Sequence, residues 1–269
     1  MRVPALPLIN TPDIELWPAR LLSARSNRDA RMIAGASRVL RRKRDGRFLA
    51  AHTVSGLVDL LPGWQRDGGA DAALAALRET SDRRGHDSRP PKLLSLDRIA
   101  AHLERLGLDD RYALRTGLPL VAEPARLAFA GVDRYRRALW LDAQAARAWQ
   151  RMQAAARHDG VVLEAISGYR SHDYQLGIVE RKLARGLTLD AILAVNAAPG
   201  YSEHHSGRAL DIGAPGEPPA EESFERTPAF AWLQRHAAAH GFAMSYPRDN
   251  PHGIVYEPWH WCHSPAESD

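Results

Sequence analysis

The chain has 269 residues, 45% of them hydrophobic, which is ample for one large domain or a domain with an extension, and no apolar run approaches the length of a membrane span. The net charge of +4 and a pI near 9.4 are a modest basic excess that does not favour nucleic acid as a partner. The single cysteine, Cys262, excludes an intrachain disulfide and a cysteine-based zinc knuckle.

The first 26 residues read as irregular, with prolines at positions 4, 7, 12 and 18. They lack a charged region followed by an uninterrupted apolar stretch, so no secretory signal is read there. The expectation is a cytoplasmic chain, unless another route exports it to the periplasm or cell wall. Met32, Ile33, Ala36, Val39 and Leu40 have helical spacing, which predicts a helix over Asp29–Arg42. The dense basic run Arg38–Arg47 then reads as the solvated face of a helix end. Ala70–Leu77 predicts a second helix. Thr80–Pro91 is polar and turn-rich and reads as a linker. A third helix starts near Ser95 and stops before Gly107. Residues 1–120 are thus expected to form a mostly helical N-terminal extension, whose role as accessory domain, binding module, lid or padding the sequence leaves open.

From Leu127 the pattern changes. LAFAGVDRYRRALWL reads as a strand or loop segment leading to Asp142, which is placed to cap a helix through Arg157 with Trp149 in its core face. Val161–Ile166 reads as a buried strand that delivers Ser167-Gly168-Tyr169-Arg170-Ser171 at its end. Ser171 or Asp173 caps the next helix, and Thr188 a shorter one. Arg208–Gly213 reads as a strand. Thr227-Pro228 is a strong helix start, and Gly241 closes that helix. Strands are expected at Phe242–Tyr246, Ile254–Tyr256 and Trp259–Cys262. Short strands with few long crossovers predict an α+β domain over 121–269, with a small antiparallel sheet and flanking helices.

Two segments of this domain carry candidate chemistry. Tyr201–Asp211 (YSEHHSGRALD) holds His204 and Asp211, and Glu257-Pro258-Trp259-His260-Trp261 follows some fifty residues later. Alternation along a strand sends Leu210 and Ile212 into a core and Asp211 to the other face. Gly207 permits a bend that returns His204 toward Asp211, and Pro258 interrupts regular pairing so that Glu257 and His260 can approach one centre. Two imidazoles, one metal-binding carboxylate and one spare carboxylate are what a catalytic zinc site needs. His204, Asp211 and His260 are therefore the candidate ligands of one Zn2+ per chain, and Glu257 the candidate general base.

The order SGYRS, SEHHSGRALD, EPWHW resembles the zinc D-alanyl-D-alanine carboxypeptidases of the vancomycin-resistance type, within the lysostaphin/D-Ala-D-Ala/hedgehog metallopeptidase group. The resemblance covers roughly Leu127–His263 and does not reach the first hundred residues. It implies a hedgehog/D-Ala-D-Ala peptidase-like fold and hydrolysis of peptidoglycan stem peptides or muropeptides, with removal of a C-terminal D-alanine. It also implies that Arg170 faces the substrate and steadies charge on the scissile oxygen, and that Gln175 and Ser202 bind the peptide's terminal carboxylate or backbone. Tyr169 and Trp259 would wall the cleft. DD against LD preference stays open, as do an endopeptidase of the same group, a non-catalytic zinc-containing module and the oligomeric state. His205, where relatives of this type carry glutamine, is set aside as a ligand, and Cys262 reads as a small core thiol.

Overall fold

The computed structural model describes residues 6–24, 26–82 and 92–264. The chain divides into two compact units. One is built from the chain up to Ser95 with Glu123–Phe129, the other from Leu96–Ala122 with the chain from Ala130 onward. The division therefore differs from a single cut near residue 120.

The first unit is a sheet with two helices, not a mostly helical extension. Strands β1 (Leu8–Asn10), β2 (Ile14–Pro18), β3 (Ala36–Arg42), β4 (Phe48–Thr53) and β5 (Gly56–Asp59) form an antiparallel meander. The first residues of β6 (Arg126–Val132) add to its edge, with Leu8 opposite Leu127. Helix α1 (Asn27–Ala34) precedes β3. Helix α2 (Ala70–Asp82) lays Ala70, Ala73 and Leu77 on Ile14, Leu16, Leu40 and Leu49. Of the prolines that suggested irregularity, Pro7 precedes β1, Pro12 lies between β1 and β2 and Pro18 ends β2, where a missing N–H costs no ladder bond, and Pro4 lies outside the described residues. The helix expected over Asp29–Arg42 stops at Gly35. Beyond it Val39 pairs with Trp17 on one side and Ala51 on the other, so ladder pairing on both sides overrides the local helical spacing.

The basic run is correspondingly not a solvated helix face. Arg41 pairs with Glu15 at 2.8 Å, Arg42 with Asp45 at 2.6 Å and with Asp67, and Lys43 with Glu123 at 2.6 Å. Arg38 donates to the carbonyls of Pro7 and Leu16, and burial lowers its pKa to about 10. Of the linker expected over Thr80–Pro91, residues 83–91 lie outside the described residues.

The second unit is α+β, as expected. It holds α3 (Ile99–Arg105), α4 (Arg111–Thr116), β7 (Ala138–Leu141), α5 (Ala143–His158), β8 (Glu164–Ser167), α6 (His172–Leu183), α7 (Leu189–Leu193), β9 (Ala209–Gly213), α8 (Pro228–His236), β10 (Phe242–Met244) and β11 (His260–His263). Four strands form an antiparallel sheet in the order β10-β11-β9-β8. The caps act as the sequence indicates: Asp142, Ser171, Thr188 and Thr227 each accept a backbone N–H of the following helix. Trp149 lies in the core face of α5. Ile254–Tyr256 is not a strand. Its backbone bonds instead to loop groups, with Val255 N–H donating to Ala194 and the Asn250 amide donating to Ile254.

Helices α3 and α4 belong to this unit and support the loop that leads into the metal motif. Ile99, Leu103, Tyr112 and Leu118 pack with Ala197, Ala198 and Tyr201. The Tyr112 hydroxyl accepts from Ala198 N–H at 3.0 Å, and Val121 N–H donates to Gly200 at 2.7 Å.

Candidate metal centre and its cleft

Register brings the metal motif together. Asp211 on β9 is the direct cross-strand partner of His260 on β11. Side chains of such a pair lie on one face of the sheet. His204 comes from a 3-10 turn, Glu203–Ser206, which Gly207 closes in the left-handed region at φ +69°. The turn returns the ring to the same face. The ligand atoms of His204, Asp211 and His260 all lie within 4.8 Å of one another, and all three residues are buried.

The nitrogens that point inward are set by those that point outward. His204 Nδ1 lies 2.7 Å from the Gly168 carbonyl oxygen. A carbonyl only accepts, so Nδ1 carries the proton and Nε2 is left as a lone-pair donor. Nε2 lies 3.3 Å from Asp211 Oδ1. His260 Nδ1 lies 3.2 Å from that same oxygen. Gly168 must be glycine here, because a Cβ would sit 2.8 Å from Leu139 Cδ1 and 3.0 Å from the Trp140 carbonyl.

The electrostatics are those of a site arranged for a cation. Burial, and then the Arg170 guanidinium, hold the His204 pKa down to about 4, so its imidazole is neutral. Burial disfavours charge on Asp211, yet the Arg170 guanidinium and the hydrogen bond from His260 hold its carboxyl well below the usual range. His260 is raised to about 10: burial opposes its charge, but hydrogen bonds to Asp211 and Glu203 outweigh burial. Burial pushes Glu257 up to about 7. Its carboxylate lies 3.9 Å from His260 Nδ1.

These groups form the floor of a cleft of about 460 Å³. Its lining includes Arg170, Gln175, Ser202, His204, Asp211, Glu257, Trp259 and His260. Arg170 pairs with Asp211, and its Nε donates to Ser167 Oγ at 2.9 Å. Its backbone N–H donates to the His204 carbonyl at 3.2 Å, which ties the SGYRS loop to the metal turn. Gln175 is buried, its Nε2 donates to Ala197 O at 2.8 Å, and its Oε1 has no partner among the described residues. Tyr169 is not among the cleft-lining residues. It follows Gly168 at the end of β8, where its backbone N–H donates to the Trp140 carbonyl.

His205 is buried and turned away from the centre. Gly200 N–H donates to its Nε2 and its Nδ1 donates to the Arg170 carbonyl at 2.7 Å, so it clamps two loops as a neutral imidazole. Cys262 lies outside the metal group. Burial raises its thiol pKa far above the ordinary value.

Three residues escaped the sequence reading. Lys182 lines the cleft from α6, seven residues after Gln175 and hence on the same helix face, a spacing that could have flagged it. Tyr246 lines the cleft with its ring 4.8 Å from that of His260. Glu203 accepts from His260 Nε2 at 2.8 Å. Its place inside the metal motif was the available signal.

An α+β unit that sets two imidazoles and a carboxylate at the floor of a cleft, beside a spare carboxylate raised to about 7, defines a metallohydrolase-type domain. Residues 138–266 match the family model VanY, D-alanyl-D-alanine carboxypeptidase. The chain is 36% identical over 96 residues to a D-alanyl-D-alanine carboxypeptidase of Enterococcus faecium, covering 35% of this chain and 27% of that protein. It is 36% identical over 117 residues to a D-alanyl-D-alanine carboxypeptidase of Enterococcus faecalis, covering 40% of this chain and 42% of that one. Among solved structures, the LdcB LD-carboxypeptidase is 31% identical, over 54% of this chain and 71% of that chain, with a TM-score of 0.48. The chain spans less than half the length of the curated relatives it matches most strongly. No helix among the described residues is long and apolar enough to cross a membrane.

Proposed function

We propose that the second unit is a zinc-dependent carboxypeptidase that removes a C-terminal D-alanine from peptidoglycan stem peptides, with one ion per chain. The observation that carries this is the meeting of His204, Asp211 and His260 within 4.8 Å in a cleft that also holds Glu257 and Arg170. The donor set fits the metal: two imidazole nitrogens and one carboxylate oxygen suit zinc and leave a position open. A zinc ion held there supplies Lewis-acid activation of water and of the scissile carbonyl.

The chain's own groups do the rest. Glu257, with a pKa of about 7, is matched to take a proton at neutral pH and return it to the departing amine. Arg170 faces the cleft as a fixed cation for the charge that develops on the scissile oxygen. Gln175 offers Oε1, an acceptor, so it suits a substrate N–H and not a carboxylate. The terminal carboxylate is then left to Lys182 and to the Ser202 hydroxyl. A cation in the cleft besides Arg170 favours a ligand with a free carboxylate over the interior of a longer peptide. The activity of the matching family, and that of the enterococcal relatives, supports the same reading.

The test is mass spectrometry of purified tetra- and pentapeptide muropeptides incubated with zinc-loaded protein and with Glu257→Ala. Loss of one terminal alanine from one stem, absent with the variant, is expected and fixes DD against LD. Fragments cut inside the stem would replace this reading with an endopeptidase. Intact muropeptides despite stoichiometric zinc would overturn hydrolysis altogether.

A further inference from the structure

The two candidate histidine ligands are backed differently. His204 presents its outer N–H to a neutral carbonyl, that of Gly168, at 2.7 Å. His260 presents its outer nitrogen, Nε2, to a carboxylate, that of Glu203, at 2.8 Å. Its inner nitrogen, Nδ1, faces Asp211 Oδ1, the oxygen that also faces His204 Nε2. Glu203 is itself held in place, with hydrogen bonds to Ser245 and to the Cys262 thiol. It is not among the cleft-lining residues, so it is not placed to touch the substrate.

We propose that Glu203 is a positioning residue for the metal: it fixes the His260 tautomer with the proton on Nε2, orients the ring, and strengthens Nδ1 as a donor. This rests on the reading of His204, Asp211 and His260 as a zinc site. The physical basis is general. A ligating imidazole binds through one nitrogen only, and a carboxylate on the other N–H locks that choice and raises the basicity of the ligating nitrogen. The asymmetry gives the site one strongly backed imidazole opposite one weakly backed imidazole. It also explains why a glutamate that contributes nothing to the cleft is carried inside the metal motif, on the turn that supplies His204.

The test measures zinc affinity, by competition with a chromophoric chelator, and the melting temperature of the zinc-free protein. Both are read for wild type, Glu203→Gln and Glu203→Ala, with Glu203→Met as a volume-filling substitute if the alanine variant does not fold. Glu203→Ala is expected to bind zinc roughly 10- to 100-fold more weakly. Glu203→Gln is expected to lose clearly less, because its amide oxygen still accepts from Nε2–H. The cobalt-loaded proteins should show a shifted visible spectrum for Ala and a near-native one for Gln. KM for the peptide should stay unchanged in both. Wild-type affinity in Glu203→Ala, or an equal loss in Gln and Ala, overturns the proposal. So does a loss that follows the zinc-free melting temperature across the variants. Wild-type protein that takes up no zinc would overturn the reading of the site, and this proposal with it, which separates the two failures.

Discussion

Each unit buries charge, and the two do so to opposite ends. In the first, the Lys43 ammonium is fully buried and meets Glu123 at 2.6 Å, while the same Glu123 oxygen accepts from Asn10 Nδ2 at 2.9 Å. Cation and anion are matched one to one, so the buried charge is balanced within the protein. In the second, Asp211, Glu203 and Glu257 are gathered around His260, and burial raises Glu257 to about 7. Arg170 pairs with Asp211, yet burial still drives Glu257 toward its neutral form. A buried cluster that closes on itself is structural. One that leaves a carboxylate half-protonated at neutral pH is arranged for a partner that brings positive charge.

That contrast can be broken or sharpened by experiment. Lys43→Met leaves Glu123 buried without its cation and should destabilise the protein by about 3–5 kcal/mol in urea unfolding. Adding Glu123→Leu should restore most of that loss. The second cluster should respond in the opposite sense. The Glu257 pKa is raised in the folded state, so the folded protein holds this proton more tightly than the unfolded one does. The cost is absent below about pH 4.5, grows as pH rises, and is complete above about pH 7. Glu257→Gln should therefore stabilise the zinc-free protein at pH 8 by up to about 3 kcal/mol, and by nothing at pH 4. Wild type more stable than Glu257→Gln at pH 8 would contradict the assignment. Zinc at about 100 times its dissociation constant should raise stability by ~2.7 kcal/mol. His204→Ala and Asp211→Ala should abolish that gain, and the melting temperature with and without zinc checks it. The smallest effect is expected at the cleft wall. Lys182→Ala should raise KM roughly tenfold, the worth of about one charge-assisted hydrogen bond, with kcat little changed. Steady-state kinetics on a single stem peptide would show the split.

How much of this was legible in the sequence depended on where the information sits. Caps are local, and Asp142, Ser171, Thr188 and Thr227 were each readable from one or two neighbours. The metal motif was readable because strand alternation and one glycine bend suffice to place Asp211 and His204. The first unit was not, because its strands are short and their partners remote: Leu8 pairs with Leu127, which no window around residue 8 contains. The helical spacing of residues 32–40 was real, but strand pairing at Val39 and Leu40 prevailed. Within the site, Glu203 was hidden for a related reason. Its partner His260 lies 57 residues away, and only the register of β9 against β11 brings the two segments together.

The turn Glu203–Ser206 constrains any variant library built on this scaffold. A 3-10 turn advances about 120° per residue, so adjacent side chains leave it in different directions. Glu203 reaches His260, His204 reaches the metal centre, and His205 reaches the loops of Arg170 and Gly200. Ser206 Oγ folds back to donate to the Glu203 carbonyl. Point substitutions here should be separable, each disturbing one direction and sparing the others. A one-residue insertion or deletion should be catastrophic, since it rotates every side chain of the turn onto its neighbour's task. Libraries across this segment should therefore hold its length and His204 fixed and vary the other positions one at a time.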